Sequence, residues 1–199
     1  MDINKFYING KFVEPDGSEK INIVNPATEK VVGQVISGSI KDVDNAIKSA
    51  NNAFSKAEAL TLDQKKKILE EIIEGMEERR EDFAQIISEE MGSPIKMARR
   101  AQYGSGVIHF KNTLSVIDRF NFKEVHGNIT INKIPIGPVG MITPWNWPLN
   151  QMCTKVASAI AAGTSFVLKP SEITPGAAQI FAEVVDKTSM PKGMFNLVH

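Results

Sequence analysis

Two short stretches of this 199-residue chain hold side chains suited to chemistry. The first, Thr143-Pro144-Trp145-Asn146-Trp147-Pro148, gathers both tryptophans of the chain around one asparagine and between two prolines. The second, Lys169-Pro170-Ser171-Glu172, offers an ammonium group and a carboxylate within one turn of chain. In doubly wound nucleotide-binding folds, a charged residue at the end of the second strand hydrogen-bonds the hydroxyls of an adenosine ribose. Each stretch also has an ordinary reading. Lys-Pro-Ser-Glu followed by Thr-Pro can simply start a helix. The tryptophan segment can be a proline-stiffened aromatic plug whose asparagine bonds to its own loop.

The elements around these stretches decide where they stand. "VGMIT" reads as a short buried strand, "PLNQMCTKVASAIAAG" as a helix with Pro148 in its first turn, and "SFVLK" as a second strand. "TPGAAQIFAEVVDKT" then reads as a helix and "MFNLV" as a third strand. Strand, helix, strand, helix, strand with short connections makes a right-handed parallel βαβαβ unit, half of a doubly wound sheet. Ligands of such sheets bind beyond the C-terminal strand ends, and both stretches fall on that edge. The glycine-rich fingerprint G-x-G-x-x-G is absent after the first strand. On the helix after Trp147, 100° spacing gathers Trp147, Asn150, Gln151 and Thr154 on one stripe, which either faces a ligand or is hydrated. Leu149, Met152, Cys153, Val156 and Ile160 form the opposite, core stripe. Cys153, the only thiol, therefore reads as a core residue: no neighbouring histidine or cation lowers its pKa.

Residues 1–40 alternate apolar and polar positions across Asn-Gly and Asp-Gly pairs and predict a β-meander. Residues 41–120 predict helices. Val43, Ile47, Ala50 and Phe54 recur at helical spacing after a start at Ser39 or Asp42, and two helices or one bent helix follow from Thr61. Ser93-Pro94 then opens a further helix. Residues 121–135 predict a strand pair, centred on Ile129, Ile131 and Ile134, reaching away from the helices. Residues 136–199 hold the βαβαβ unit.

Lys plus Arg and Asp plus Glu both total 23, so no basic field exists to attract nucleic acid or an acidic membrane. One cysteine makes no intramolecular disulfide, and three scattered histidines lack metal-ligand spacing, so no metal site is expected. The N-terminus has no apolar signal segment, and no apolar run reaches membrane-spanning length. A soluble, cytoplasmic protein is expected.

The order and spacing of "NPATEKVVGQV", "IPIGPVGMITPWNWP", "KVASAIAAG", "FVLKPSEITP" and "PKGMFNLV" closely resemble the NAD(P)-dependent aldehyde dehydrogenase superfamily, across nearly all of the chain. The resemblance implies an α/β fold: the N-terminal portion of the aldehyde dehydrogenase fold, its βαβαβ half of a Rossmann-like sheet preceded by β-hairpin and helical segments. Members oxidise an aldehyde through a cysteine thiohemiacetal, pass hydride to nicotinamide and hydrolyse the thioester. By that resemblance Asn146 is the catalytic amide that stabilises the developing oxyanion, and it also borders the cofactor. Ile142, Thr143, Pro144 and Trp145 line the nicotinamide side, while Lys169, Ser171 and Glu172 meet the adenosine ribose. Trp147 matches the aromatic of the aldehyde tunnel, with Gln151 and Thr154 beside it. Glu172 would repel the extra phosphate of NADP, so NAD is the expected cofactor, with NADP left open. The family's pyrophosphate glycine turn, general-base glutamate and nucleophilic cysteine find no match here. The chain by itself is therefore expected to show no turnover, the full-length form being a homo-oligomeric enzyme acting on a small-molecule aldehyde. The alternative is a non-catalytic remnant, at most a weak nucleotide-binding or association module.

Overall fold

The computed structural model describes residues 2–199. Strands β1 (Phe6–Tyr7) and β2 (Phe12–Val13) pair antiparallel across Asn9-Gly10, both at positive φ (55° and 71°). That is the mirror-image turn that Asn-Gly adopts at little cost. Strands β3 (Lys20–Asn25) and β4 (Lys30–Ile36) form a separate two-stranded hairpin. The β-meander expected over residues 1–40 is thus split: β2 does not pair with β3, and β1 leaves to join the main sheet. Strands of two residues carry too little alternation to announce a partner nearly 190 positions away.

Helix α1 (Ile40–Glu58) starts at Ser39 with a reciprocal cap between Ser39 and Asp42. The buried Asp42 carboxylate also accepts from the backbone N–H groups of Asp16 (2.8 Å) and Gly17 (3.0 Å). Of the expected apolar positions, only Ala50 is fully buried. Ala46, Ser49, Ala50, Ala53 and Ala57 face inward, whereas Val43 and Ile47 are exposed and Phe54 is half-buried. Small side chains let the helix lie close against the main sheet, and the branched residues are left outside.

Helices α2 (Leu62–Glu78), capped by Thr61 and Gln64, and α3 (Arg80–Met91) are separated by a break at Arg79. Helix α4 (Ile95–Met97) continues through a π-helical turn, Ala98–Gln102, into α5 (Tyr103–Ile117). Strands β5 (Lys123–His126) and β6 (Ile129–Asn132) make a hairpin that pairs only with itself. Ile129 and Ile131 on it are exposed; Ile134 lies beyond β6 and is exposed too.

The main sheet follows the expected succession: β7 (Val139–Ile142), α6 (Pro148–Ala162), β8 (Phe166–Lys169), α7 (Gly176–Val185) and β9 (Phe195–Leu197). β7, β8 and β9 are parallel, β1 adds antiparallel to β9, and β2 forms the edge beyond it, giving the order β2-β1-β9-β8-β7. This is an α/β fold with the βαβαβ half of a doubly wound sheet, preceded by hairpins and helices.

Alternation along β8 shows how the sheet is covered. Phe166 and Leu168 belong to the large core with residues of α6 and α7, while Val167, between them, packs with Ala46 of α1 on the opposite face. Buried Asn196 ties the first hairpin to this sheet. Its amide donates to Gly193 O (2.7 Å) and Phe166 O (3.2 Å), and its oxygen accepts from Asn9 N–H (3.1 Å). Helices α5 and α6 approach closely at Gly106, where a Cβ would stand 2.5 Å from Leu149 Cγ. That contact fixes the first turn of α6, directly after the tryptophan segment.

Candidate functional site

In the parallel register Ile142 stands opposite Lys169, and Thr143 N–H donates to Lys169 O at 3.2 Å. The loops after β7 and β8 therefore leave the sheet side by side, as ligand-binding loops of doubly wound sheets do. A second link joins them further out. The Thr174 hydroxyl, 1% exposed, donates to Trp145 O at 3.2 Å. The tryptophan segment is thereby held against the loop that carries Lys169 and Glu172.

Lys169 Nζ donates to Glu172 Oε2 at 2.9 Å, and both side chains remain partly exposed. That hydrogen bond, from a cation, holds the Glu172 carboxyl below the usual carboxylate range. With His199 the pair lines a cleft of about 230 Å³ whose other wall is Ile21, Val35, Ile36 and Ser37. His199 is buried, its Nε2 3.3 Å from Gln179 Oε1 and its Nδ1 without a partner among the described residues. Burial, and then the Lys169 charge, push its imidazole down to about 3, so the ring is neutral at physiological pH. A donor cation and an acceptor carboxylate at one cleft are a pair of groups that fits a polyhydroxylated ligand.

The remaining sequence-predicted residues fall into two groups. Ile142, the last residue of β7, and Pro144, Trp145 and Asn146 in the loop after it are exposed, while Thr143 is buried and serves the sheet through its backbone. The side-chain amide of Asn146 makes no hydrogen bond among the described residues, so it does not stitch its own loop. It stands two residues before Pro148, at the N-terminal end of α6, where the helix dipole favours developing negative charge. Trp147, Gln151 and Thr154 are half-buried along the start of α6. Ser171 has a local duty: its hydroxyl oxygen accepts from Ile173 N–H at 3.2 Å within the turn.

Leu149, Met152, Cys153, Val156 and Ile160 are all buried, and burial pushes the Cys153 thiol well above its usual pKa. A thiol so placed is no nucleophile. Sequence reasoning missed three residues of the site region. Thr174 was visible only as a helix-entry Thr-Pro. His199 carried no motif beyond its place after a strand. Glu90, on α3, gave no signal, yet its buried carboxyl accepts from Gly176 N–H at 2.9 Å and 3.2 Å, bracing the start of α7; burial pushes it up to about 8.

A parallel half-sheet with an ammonium–carboxylate pair and a free amide at adjoining strand ends gives the chain the architecture of a doubly wound α/β protein. The sequence pattern of the aldehyde dehydrogenase family matches residues 12–199, and the chain belongs to that family. A Staphylococcus haemolyticus protein that carries the family's name is 42% identical over 193 residues, covering 97% of this chain and 41% of its own length. The crystal structure of an aldehyde dehydrogenase from Bartonella henselae superposes with a TM-score of 0.96 at 40% identity, covering 100% of this chain and 42% of that one. A variant of aldehyde dehydrogenase C from Pseudomonas syringae, crystallised with NAD+ and octanal, gives a TM-score of 0.96 at 43% identity, covering 98% and 40%. The chain thus spans about two-fifths of the length of the relatives it matches.

Proposed function

We propose that this chain is the cofactor-binding portion of an NAD-dependent aldehyde dehydrogenase. The observation that carries the reading is the Lys169–Glu172 pair at the end of β8, locked through Thr174 to the loop that presents Asn146. Lys169 and Glu172 hold the adenosine ribose, one donating to and one accepting from its hydroxyls. Ile142, Pro144 and Trp145 border the nicotinamide end. NAD+ supplies the hydride acceptor when bound. Asn146 donates its free amide N–H to the oxygen of the aldehyde as negative charge develops there; a rigid, neutral donor needs little reorganisation for this task. Trp147, Gln151 and Thr154 line the aldehyde's approach.

A negative Glu172 beside the ribose disfavours the added phosphate of NADP, so NAD is the preferred cofactor. Since the sole cysteine is buried in the core, the chain by itself gives no aldehyde-dependent NADH. Among the described residues no helix is long and apolar enough to cross a membrane; we place the protein in the cytoplasm, as part of a homo-oligomeric enzyme acting on a small aldehyde.

Titration calorimetry of the chain with NAD+, compared with Lys169→Ala, tests the reading. The expected result is binding that weakens at least about tenfold in the variant, the loss of one charge-assisted hydrogen bond. Equal affinity in the two proteins, or NADH production by the chain alone, overturns it.

A further inference from the structure

Helix α7 begins without a cap of its own. Its cap position is Pro175, which makes no side-chain cap hydrogen bond, and its first turn carries no acidic residue. The hydroxyl of Thr174, the nearest local side chain able to cap, is turned instead to Trp145 O. The first N–H groups of a helix have no partner within it. At a buried start such as this one, with Thr174, Gly176, Ala177 and Ala178 all buried, an unpaired N–H is costly.

The missing group comes from 86 positions earlier in the chain. Glu90, in the last turn of α3, sets both carboxyl oxygens against Gly176 N–H, at 2.9 Å and 3.2 Å. Only glycine fits there, since a Cβ on residue 176 would stand 2.3 Å from Ile86 Cγ1 and 2.6 Å from Glu90 Oε1. The loop between β8 and α7 is thereby held along its length: Lys169 by the sheet, Thr174 by Trp145 O and Gly176 by Glu90. Glu172 lies between the first two of these anchors. Burial pushes the Glu90 carboxyl up to about 8, so at neutral pH it is mostly the neutral acid, an acceptor that a glutamine side chain reproduces.

We infer that Glu90 is a positioning residue of the cofactor site, fixing through Gly176 N–H the entry into α7 and with it the loop that carries Lys169, Glu172 and Thr174. This role rests on the reading of that loop as the ribose site. A hydrogen bond weakens steeply once its distance and angle are lost, so a loop free to slide at its far end presents Lys169 and Glu172 less well to ribose hydroxyls. Glu90 acts from behind the loop and touches no ligand itself.

Titration calorimetry with NAD+ on the 199-residue chain and a matched pair of variants tests this. Glu90→Gln keeps an accepting oxygen, and Glu90→Met fills the same space without one. A group that only stabilises the fold would shift the denaturation midpoint and leave the affinity of the folded protein unchanged. The expected result is Glu90→Gln within about twofold of wild type and Glu90→Met at least about fivefold weaker, the scale of a coupling carried through neighbouring contacts. Should Glu90→Met not fold, Glu90→Asp, which withdraws the carboxyl by one methylene, is expected to weaken NAD+ at least about threefold. Lys169→Ala, measured alongside, separates two kinds of failure. Wild type without NAD+ affinity, or Lys169→Ala binding as wild type does, overturns the ribose reading and this role with it. If Lys169→Ala weakens binding, the role of Glu90 alone is overturned by either of two results. One is wild-type affinity in Glu90→Met, or in Glu90→Asp where the methionine variant does not fold; the other is a loss in Glu90→Gln equal to that in Glu90→Met.

Discussion

In the proposed reading Glu172 is the residue whose charge discriminates between cofactors, and its environment fixes that charge. The Lys169 hydrogen bond holds its carboxyl below the ordinary range, so it is ionised throughout neutral pH and neutralised only as pH falls through its lowered folded value. The preference for NAD over NADP is therefore expected to stay flat from about pH 6 to 9. Glu172→Gln should shift the affinity ratio toward NADP by roughly tenfold, the scale of one modest charge interaction. Equilibrium binding of both cofactors to the two proteins measures this, and an unchanged ratio in Glu172→Gln removes Glu172 as the discriminator. The position of the pair was legible because a charged residue at the end of a second parallel strand has a geometric meaning. His199 was not legible, since its orphaned nitrogen exists only through the packing of Phe6 and the β3–β4 hairpin around it. Nor was the buried turn duty of Thr143, which is set by its hydrogen bond to the neighbouring strand.

Elements were read well where periodicity was local and poorly where packing partners were remote. The βαβαβ succession stood out because each strand is a short apolar run and each helix has clear ends. The face of α1 was misread except at Ala50, because branched residues outweigh alanines in an apolar pattern, whereas close approach to a sheet selects the alanines. Close approach also governs α5 on α6. Gly106→Ala should place a methyl against Leu149 and destabilise the fold by about 1–3 kcal/mol, measured by denaturant titration. A change within a few tenths would show that α6 can shift freely, and that its first turn does not fix the Asn146 loop. The link between the two loops carries its own expectation. Thr174→Val keeps shape but removes the hydrogen bond to Trp145 O, costing about 0.5–1.5 kcal/mol of stability. If that bond registers one loop on the other, NAD+ affinity should fall as well; stability lost with affinity intact would make Thr174 a purely structural brace.

At the scale of the whole molecule, the uneven distribution of apolar surface is the main physical fact. The sheet has two edge strands, the two-residue β2 on one side and β7 on the other, where β7 pairs only with β8 and leaves its outer edge open. Beyond it the β5–β6 hairpin and its exit carry exposed Val125, Ile129, Ile131, Ile134 and Ile136, of which Ile136 is 94% exposed. Open strand edges and clustered exposed aliphatics both favour association. The hairpin's own charges do little to oppose it, since Glu124 is bound to Lys133 and contacts His126. The chain is therefore expected to show a concentration-dependent mass above 21.9 kDa by light scattering after size exclusion. Two variants separate the sources. Replacing Ile131 and Ile134 by lysine should restore a monomer if the hairpin drives association. Lysine at Val139 would act only if pairing along the β7 edge dominates. Because Val139 is partly buried against the core while the hairpin residues face solvent, the hairpin pair is expected to have the larger effect. A wild-type chain that stays monomeric over a roughly hundred-fold range of concentration would mean that neither the open edge nor the apolar hairpin is sticky enough to outweigh the entropy of association.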